Sequence, residues 1–222
     1  MARPKPEIAE FAEMYKDIKI PFWFQTRFED VDSEKLSWLK DVGCYRISFG
    51  LEHGNEQYRR ERLHRRMTNE FILGKAQVVT DAEIPFTLNV LVGMPYETRE
   101  LVFDSIDLIK QIGTFDSLSV NIFVPYHGTP LRDMAITEGW LDPKKQTTSV
   151  IAESILEMPP PYLSALEIKA IQRVLPLYVS MPESRYSEIK RAEQFDEEGD
   201  AVFDVLKAEF YGMKYGESEA DR

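Results

Sequence analysis

Short apolar runs alternate with longer amphipathic runs along the first 142 residues of the chain. Four runs rich in β-branched and aromatic residues, each bounded by turn residues, are predicted to be strands. They span residues 20–26, 45–50, 85–92 and 117–124. The intervening segments have apolar residues at helical spacing and predict helices over 33–42, over 56–82 with a break near 67–68, and over 98–113. Asp32 is predicted to cap the first of these helices.

This alternation predicts βα units and a parallel sheet, so the fold class is α/β. About four parallel strands fit part of a (βα) barrel of the TIM type better than a complete fold. After Asp142-Pro143 the pattern becomes helical without strands, with helices predicted over 147–156, 163–178 and 183–211, the last broken near Gly199. The predicted domains are therefore a partial barrel over 1–142 and a C-terminal helical region over 143–222.

Composition excludes several classes of protein. Of the 222 residues, 43% are apolar, which allows a packed core, and the net charge of −11 argues against a nucleic-acid binder. The single cysteine, Cys44, forms no internal disulfide and cannot alone hold zinc or an iron–sulfur cluster. We expect it to be a small buried apolar residue in a cytoplasmic protein. No apolar run of about 18 residues predicts a membrane span.

Candidate chemistry follows from the strand ends, because ligands of parallel βα units bind at the carboxyl ends of the strands. Asn89 and Asn121 are polar residues inside apolar strands; each either satisfies a neighbouring strand end or contacts a ligand. Glu52 is likewise either a plain loop carboxylate or a ligand-binding one. The three histidines are too scattered to predict a metal site. A basic cluster is expected to be mostly a solvated face balanced by nearby glutamates; it comprises Arg59, Arg60, Arg62, His64, Arg65 and Arg66.

Three motifs together resemble a known family. They are GLEHGNEQYRRERLHRRMT, NVLVGMPYETRE and VPYHGTPL, in that order. The sequence is similar to the second half of radical S-adenosylmethionine (SAM) barrels, with the closest likeness to the branch that carries an N-terminal cobalamin-binding domain. The resemblance covers about residues 6–142, as βα units three to six of the family, and the C-terminal segment is similar to that branch's helical tail.

The resemblance also implies a set of SAM-binding residues. Glu52 matches a position that contacts SAM, Arg65 one that pairs with the SAM carboxylate, and Asn89 one that bonds the ribose hydroxyls. The other cofactor-binding candidates are residues of strand ends, the last two through their backbone beside the adenine: Gln25, Ser48, Asn121, Phe123 and Val124. No catalytic residue and no metal ligand is expected in this chain.

Two departures from the family pattern matter. Tyr96 stands where the family usually has glycine, so we expect the loop backbone to avoid conformations that only glycine adopts. The C-x-x-x-C-x-x-C motif that binds the [4Fe–4S] cluster is absent from the sequence. The resemblance therefore implies an inactive fragment of a parent oxidoreductase or methyltransferase that uses SAM and the cluster, and whether the parent also binds cobalamin stays open.

Two other interpretations stay open. One is a non-catalytic half-barrel that acts as an interaction module, for instance as a homodimer joined through its open sheet edge. The other is an unrelated barrel hydrolase using Glu52 and Glu97, although no nucleophile has a base beside it in the sequence. The substrate is not predicted; neither a nucleic acid nor a membrane is expected as a partner.

Overall fold

The computed structural model describes residues 1–147, 149 and 153–216. Four strands form one parallel sheet in the order β1-β2-β3-β4. This arrangement confirms the predicted α/β class and the four predicted strands, with ends shifted by one or two residues. The strands are β1 (Phe22–Thr26), β2 (Cys44–Glu52), β3 (Phe86–Val92) and β4 (Ser117–Ile122).

The helices of the first 142 residues follow the prediction where the apolar periodicity is strong. The backbone N–H of Lys35 donates to the Asp32 carboxylate at 3.2 Å, so Asp32 caps its helix as predicted. Two short helices that were not predicted begin at or next to a proline, which suits the first turn of a helix. The helices are α1 (Lys5–Tyr15), α2 (Ser33–Asp41), α3 (Glu56–Arg62), α4 (Asn69–Asp81), α5 (Arg99–Ile112) and α6 (Pro130–Thr137), of which α1 and α6 are the unpredicted pair.

The C-terminal region departs further from the prediction. Residues 153–156 are not helical, so the helix predicted over 147–156 is wrong there, and 148 and 150–152 lie outside the described residues. The helix predicted over 183–211 is interrupted at residues 193–196, which confirms the predicted break near Gly199; Gly199 itself lies in the first turn of the next helix, where its N–H donates to the capping carboxylate of Asp196 at 2.7 Å. The helices of this region are α7 (Ala165–Ser180), α8 (Tyr186–Ala192) and α9 (Glu197–Tyr215).

Residue packing divides the chain into two compact units. The first comprises Met1–Val90 and Gln111–Ser119, and the second comprises Leu91–Lys110 and Val120–Arg222. In the first unit, alternate side chains of β2 bury Ile47, Phe49 and Leu51, so the other face of that strand is left for polar residues. Within the described ranges, no helix is both long and apolar enough to cross a membrane.

A buried polar network ties α5 to α8 in the second unit. The Glu193 carboxylate accepts hydrogen bonds from Arg99 at 2.5 and 2.9 Å, from the Tyr178 hydroxyl at 2.7 Å and from Lys190 at 2.9 Å. Burial alone would raise the pKa of Glu193, but these donors outweigh it and hold the pKa below its ordinary value. The network is fully partnered and therefore stabilises this unit.

Candidate functional site

A pocket of about 400 Å³ opens at the carboxyl ends of β1, β2 and β3 in the first unit. That volume lies within the range of small-molecule sites, roughly 300–1,000 Å³. Five of the eight predicted cofactor-binding residues lie in its wall, together with three residues that were not predicted. The lining residues are Gln25, Thr26, Arg27, Ser48, Gly50, Glu52, Arg65 and Asn89.

Strand register explains why these side chains meet. Gln25 of β1 is paired with Ser48 of β2, and Gly50 of β2 is paired with Asn89 of β3. Because side chains alternate along a strand, Ser48, Gly50 and Glu52 are positioned on one face of β2. The period of two therefore carries polar residues that are distant in sequence to the same face of the sheet.

Asn89 has a structural role in the pocket. Its side-chain N–H group donates to the Ser48 hydroxyl at 2.7 Å and to the Phe49 carbonyl at 3.0 Å. These bonds bear out the interpretation in which the amide satisfies a neighbouring strand. They engage the amide nitrogen, while contact of the amide oxygen with a ribose stays a prediction.

Glu52 and Arg65 form an ion pair at the pocket wall. Arg65 Nη2 donates to Glu52 Oε1 at 3.1 Å, and the two side chains are 19% (Arg65) and 24% (Glu52) exposed. Arg65 Nη1 is buried and has no hydrogen-bond partner among the described residues. A buried polar group without a partner costs about 1–3 kcal/mol, and a charged one costs more. The guanidinium is therefore half-used: Nη2 is bonded to Glu52, and Nη1 has no acceptor among the described residues.

The backbone at the end of β2 is unusual where it presents Glu52. Glu52 has a φ of +63°, a left-handed conformation that is uncommon for residues other than glycine, asparagine and aspartate. The strand register also shifts between Gly50 and Glu52. A Cβ at Gly50 would lie 2.5 Å from Glu52 Oε1, so glycine leaves the space that the carboxylate occupies.

Arg59 was placed on a solvated face by sequence reasoning, and that interpretation is wrong for this residue. Its side chain is fully buried, and burial lowers the pKa of its guanidinium. Arg60 and Arg66 are exposed, as expected for the cluster. Leu63, four residues after Arg59 on α3, is the one sequence signal that Arg59 could point inward.

The remaining predicted residues belong to the second unit. Asn121 is half-buried, and Phe123 and Val124 are each 8% exposed. The backbone N–H of Phe123 donates to the Val92 carbonyl at 2.8 Å, and the Val124 carbonyl accepts from Tyr126 at 2.9 Å. The backbone of this segment is thus held by strand and turn hydrogen bonds, and its predicted position beside an adenine stays a prediction.

Tyr96 contradicts the expectation that its loop avoids glycine-like conformations. Its φ is +66°. The ring packs against Trp140 and Tyr162 at centroid distances of 4.7 and 5.4 Å, and the hydroxyl donates to Glu138 at 2.5 Å. A left-handed residue costs roughly 1–2 kcal/mol, which these contacts of the side chain can offset.

The loop that contains Tyr96 begins and ends with internal contacts. Gly93 has a φ of +83°, and a Cβ there would lie 2.8 Å from Ile168. The Gly93 N–H donates to the carboxylate of Glu97, a fully buried side chain. Glu97 is thus engaged in closing this loop, which weakens the hydrolase interpretation.

The donor set for a metal or cluster is poor. Cys44 is buried, its Sγ lies 3.6 Å from the Arg46 carbonyl, and burial raises the pKa of its thiol. In the described part of the chain, no three His, Cys, Asp or Glu side chains converge as metal ligands would. A [4Fe–4S] cluster needs three or four thiolates, so the residues of this chain do not fit that group.

The sheet order and the strand-end pocket define an α/β protein built on part of a TIM-type (βα) barrel. Residues 3–109 match the sequence profile of the Radical SAM superfamily. That stretch of the chain is therefore similar in sequence to the radical SAM superfamily.

One curated relative is the tRNA-2-methylthio-N(6)-dimethylallyladenosine synthase of Halalkalibacterium halodurans. It is 35% identical over 91 residues, which are 40% of this chain and 16% of that protein. The chain thus aligns with less than a fifth of the relative's length.

Solved structures of OxsB, a cobalamin-dependent SAM radical enzyme, share the fold. The structure with aqua-cobalamin and SAM has a TM-score of 0.56 at 12% identity, and the one with aqua-cobalamin alone has 0.53 at 13%. Each match covers 97% of this chain and 38% of OxsB.

Proposed function

We propose that this chain is the SAM-binding portion of a radical SAM enzyme and that it does not itself hold the iron–sulfur cluster. The observation that carries the proposal is the half-used guanidinium of Arg65 in a pocket of polar strand-end residues. The SAM carboxylate would accept from Arg65, its amino group would donate to Glu52, and its ribose hydroxyls would donate to Asn89. Gln25 and Ser48 complete the polar wall.

Charge in the pocket supports an anionic ligand group. Arg27 and Arg65 contribute two guanidiniums against the single carboxylate of Glu52. This local positive charge contrasts with the net charge of −11 on the whole chain. An arginine fork suits a carboxylate because its two N–H groups meet both oxygens.

In the parent enzyme, a reduced [4Fe–4S] cluster would supply the electron that cleaves SAM to a 5′-deoxyadenosyl radical. Within the proposal, that cluster is held by residues outside this chain. Purified chain reconstituted with iron and sulfide is expected to show no charge-transfer absorbance of a bound cluster. A stable cluster on this chain would contradict this part of the proposal.

Ligand selectivity tests the SAM site directly. Isothermal titration calorimetry of the full chain compares SAM with 5′-methylthioadenosine, which lacks the amino-acid arm. We expect tighter binding of SAM, and we expect Arg65→Gln to remove about tenfold of that preference, the worth of one charge-assisted hydrogen bond. Arg60→Gln, on an exposed neighbour, is the matched control. Equal affinity for the two ligands in the wild-type chain would refute the SAM site.

A second candidate function is that of an interaction module. Strand β1 lies at the end of the sheet order, and apolar side chains in the first unit are more than half exposed at Met14, Ile18, Ile20 and Trp23. A sheet edge beside exposed apolar residues favours pairing with another chain. Light scattering coupled to gel filtration tests this candidate: a dimer is expected, and a monomer at all concentrations would argue against it.

A further inference from the structure

The most buried charge of the first unit lies outside the pocket, in the segment between β2 and α4. Arg59 is fully buried, and its guanidinium faces backbone carbonyls and an amide. Taking a guanidinium out of water is costly unless its hydrogens are bonded. An arginine on a solvated face would keep its guanidinium in water. The burial of Arg59 therefore requires a physical explanation.

The guanidinium of Arg59 bridges both ends of this segment. Its Nη1 donates to the carbonyls of His53 and Gly54 at 2.8 and 2.9 Å, where the chain leaves β2. Its Nη2 donates to the Met67 carbonyl at 3.0 Å and to the Asn69 side-chain oxygen at 2.5 Å, where the chain enters α4. One planar fork therefore fixes the two ends of the segment relative to each other.

The same residue fixes the backbone that carries Arg65. The Arg65 N–H donates to the Arg59 carbonyl at 2.9 Å, and the Arg65 side chain reaches Glu52 at 3.1 Å. A second bond, from the Asn69 N–H to the Glu56 carboxylate at 2.8 Å, closes the segment from the other side. The position of the Arg65 guanidinium is thus set by the hydrogen bonds of Arg59, supported by the bond between Asn69 and Glu56.

We propose that Arg59 is a positioning residue that holds Arg65 at the pocket wall in register with the carboxylate of the ligand. This inference rests on the proposed SAM site. Arg59 touches no ligand itself and acts through the segment that it closes. It should therefore affect binding of the amino-acid arm of the ligand and leave binding of the nucleoside portion unchanged.

Arg59→Lys is the test variant, because it keeps the charge but replaces a fork with a single ammonium that cannot reach both ends of the segment equally. Calorimetry of the full chain compares SAM with 5′-methylthioadenosine in wild type, Arg59→Lys and the exposed control Arg60→Lys. We expect Arg59→Lys to bind SAM about tenfold more weakly with 5′-methylthioadenosine unchanged, as for a lost charge-assisted hydrogen bond. Arg60→Lys should match the wild type.

Asn69→Ala guards against misfolding of the lysine variant, because it removes one acceptor of Arg59 and leaves the arginine in place. We expect it to weaken SAM about threefold, again without an effect on 5′-methylthioadenosine.

Two results overturn the positioning role: equal weakening of both ligands, which marks a merely structural residue, or unchanged selectivity in both variants. A wild-type chain without preference for SAM would instead refute the proposed site on which the inference rests.

Discussion

Adding one methyl group at Gly50 tests the geometry of the pocket wall. A Cβ at this position would lie 2.5 Å from Glu52 Oε1, closer than real side-chain contacts allow, and 3.2 Å from Glu52 Cδ, which is tight. The nearby atoms belong to the far end of a side chain, so the carboxylate can swing away. Gly50→Ala should then break the 3.1 Å bond between Glu52 and Arg65.

The magnitude follows from two opposing effects. Loss of the ion-pair hydrogen bond costs about 1 kcal/mol, a value reduced because both side chains are partly exposed. Replacing glycine by alanine at an ordinary φ stabilises by about 0.4–1 kcal/mol through the unfolded chain. Gly50→Ala alone should therefore change the free energy of unfolding by less than about 0.5 kcal/mol. In a Glu52→Ala background it should stabilise by about 0.5 kcal/mol, because no carboxylate remains to be displaced.

Urea denaturation of the four proteins in this double-mutant cycle measures the coupling between Gly50 and Glu52, expected to be about 1 kcal/mol. Alanine at residue 52 would have to adopt the left-handed φ of Glu52. Any strain that this causes is present in both proteins that carry Glu52→Ala, so it cancels in the coupling free energy. A Gly50→Ala effect that is the same in both backgrounds would show that the methyl group does not meet the Glu52 carboxylate, and the described pocket wall would be wrong.

Three further predictions concern stability and reactivity. Glu193→Ala should lower the free energy of unfolding by about 3 kcal/mol, because the buried Tyr178 hydroxyl and the partly exposed Arg99 guanidinium lose their acceptor. The folded pKa of Glu193 lies below its ordinary 4.5, so the stability that its carboxylate contributes is complete above pH 4.5 and is lost as the pH falls through the folded pKa. The free energies of unfolding of wild type and Glu193→Gln, measured in urea, should therefore converge in acid. A difference between them that stays constant with pH would refute this. Cys44, buried and with a raised pKa, should react with iodoacetamide far more slowly in the folded protein than in urea, and equal rates would contradict its burial. Tyr96→Gly relieves the positive φ but removes the ring from its aromatic neighbours, so chemical denaturation should show a net loss of about 1–2 kcal/mol, and a gain would mean that strain outweighs packing.

The pattern of apolar and polar residues was sufficient to predict the sheet and five of the residues that line the pocket. Strands β1 to β4 could be read from apolar runs, and the period of two placed Gln25, Ser48 and Asn89 at strand ends that a parallel sheet gathers on one side. Asp32 could be predicted as a cap because its chemistry acts within three residues.

What could not be predicted depends on partners distant in sequence. Apart from Leu63, four residues after it, nothing local distinguishes Arg59 from the exposed Arg60. The carbonyls that receive its fork become neighbours only when the segment closes. Tyr96 adopts a glycine-like φ because Trp140 and Tyr162 hold its ring, which no rule about single residues contains.

Three features that cost free energy occur within one short segment. Glu52 has a left-handed φ, Arg59 is a buried charge bonded to neutral acceptors, and among the described residues Arg59 Nε and Arg65 Nη1 are buried without a hydrogen-bond partner. Strain and half-satisfied polar groups persist in folded proteins where the surrounding structure enforces them, and they concentrate at functional sites. Here the enforcing contacts are visible in the bonds of Arg59, and Arg65, which carries one of the unsatisfied groups, lines the pocket. A segment optimised for stability alone would not combine the three, so their coincidence is the strongest physical reason to look for a ligand at Arg65.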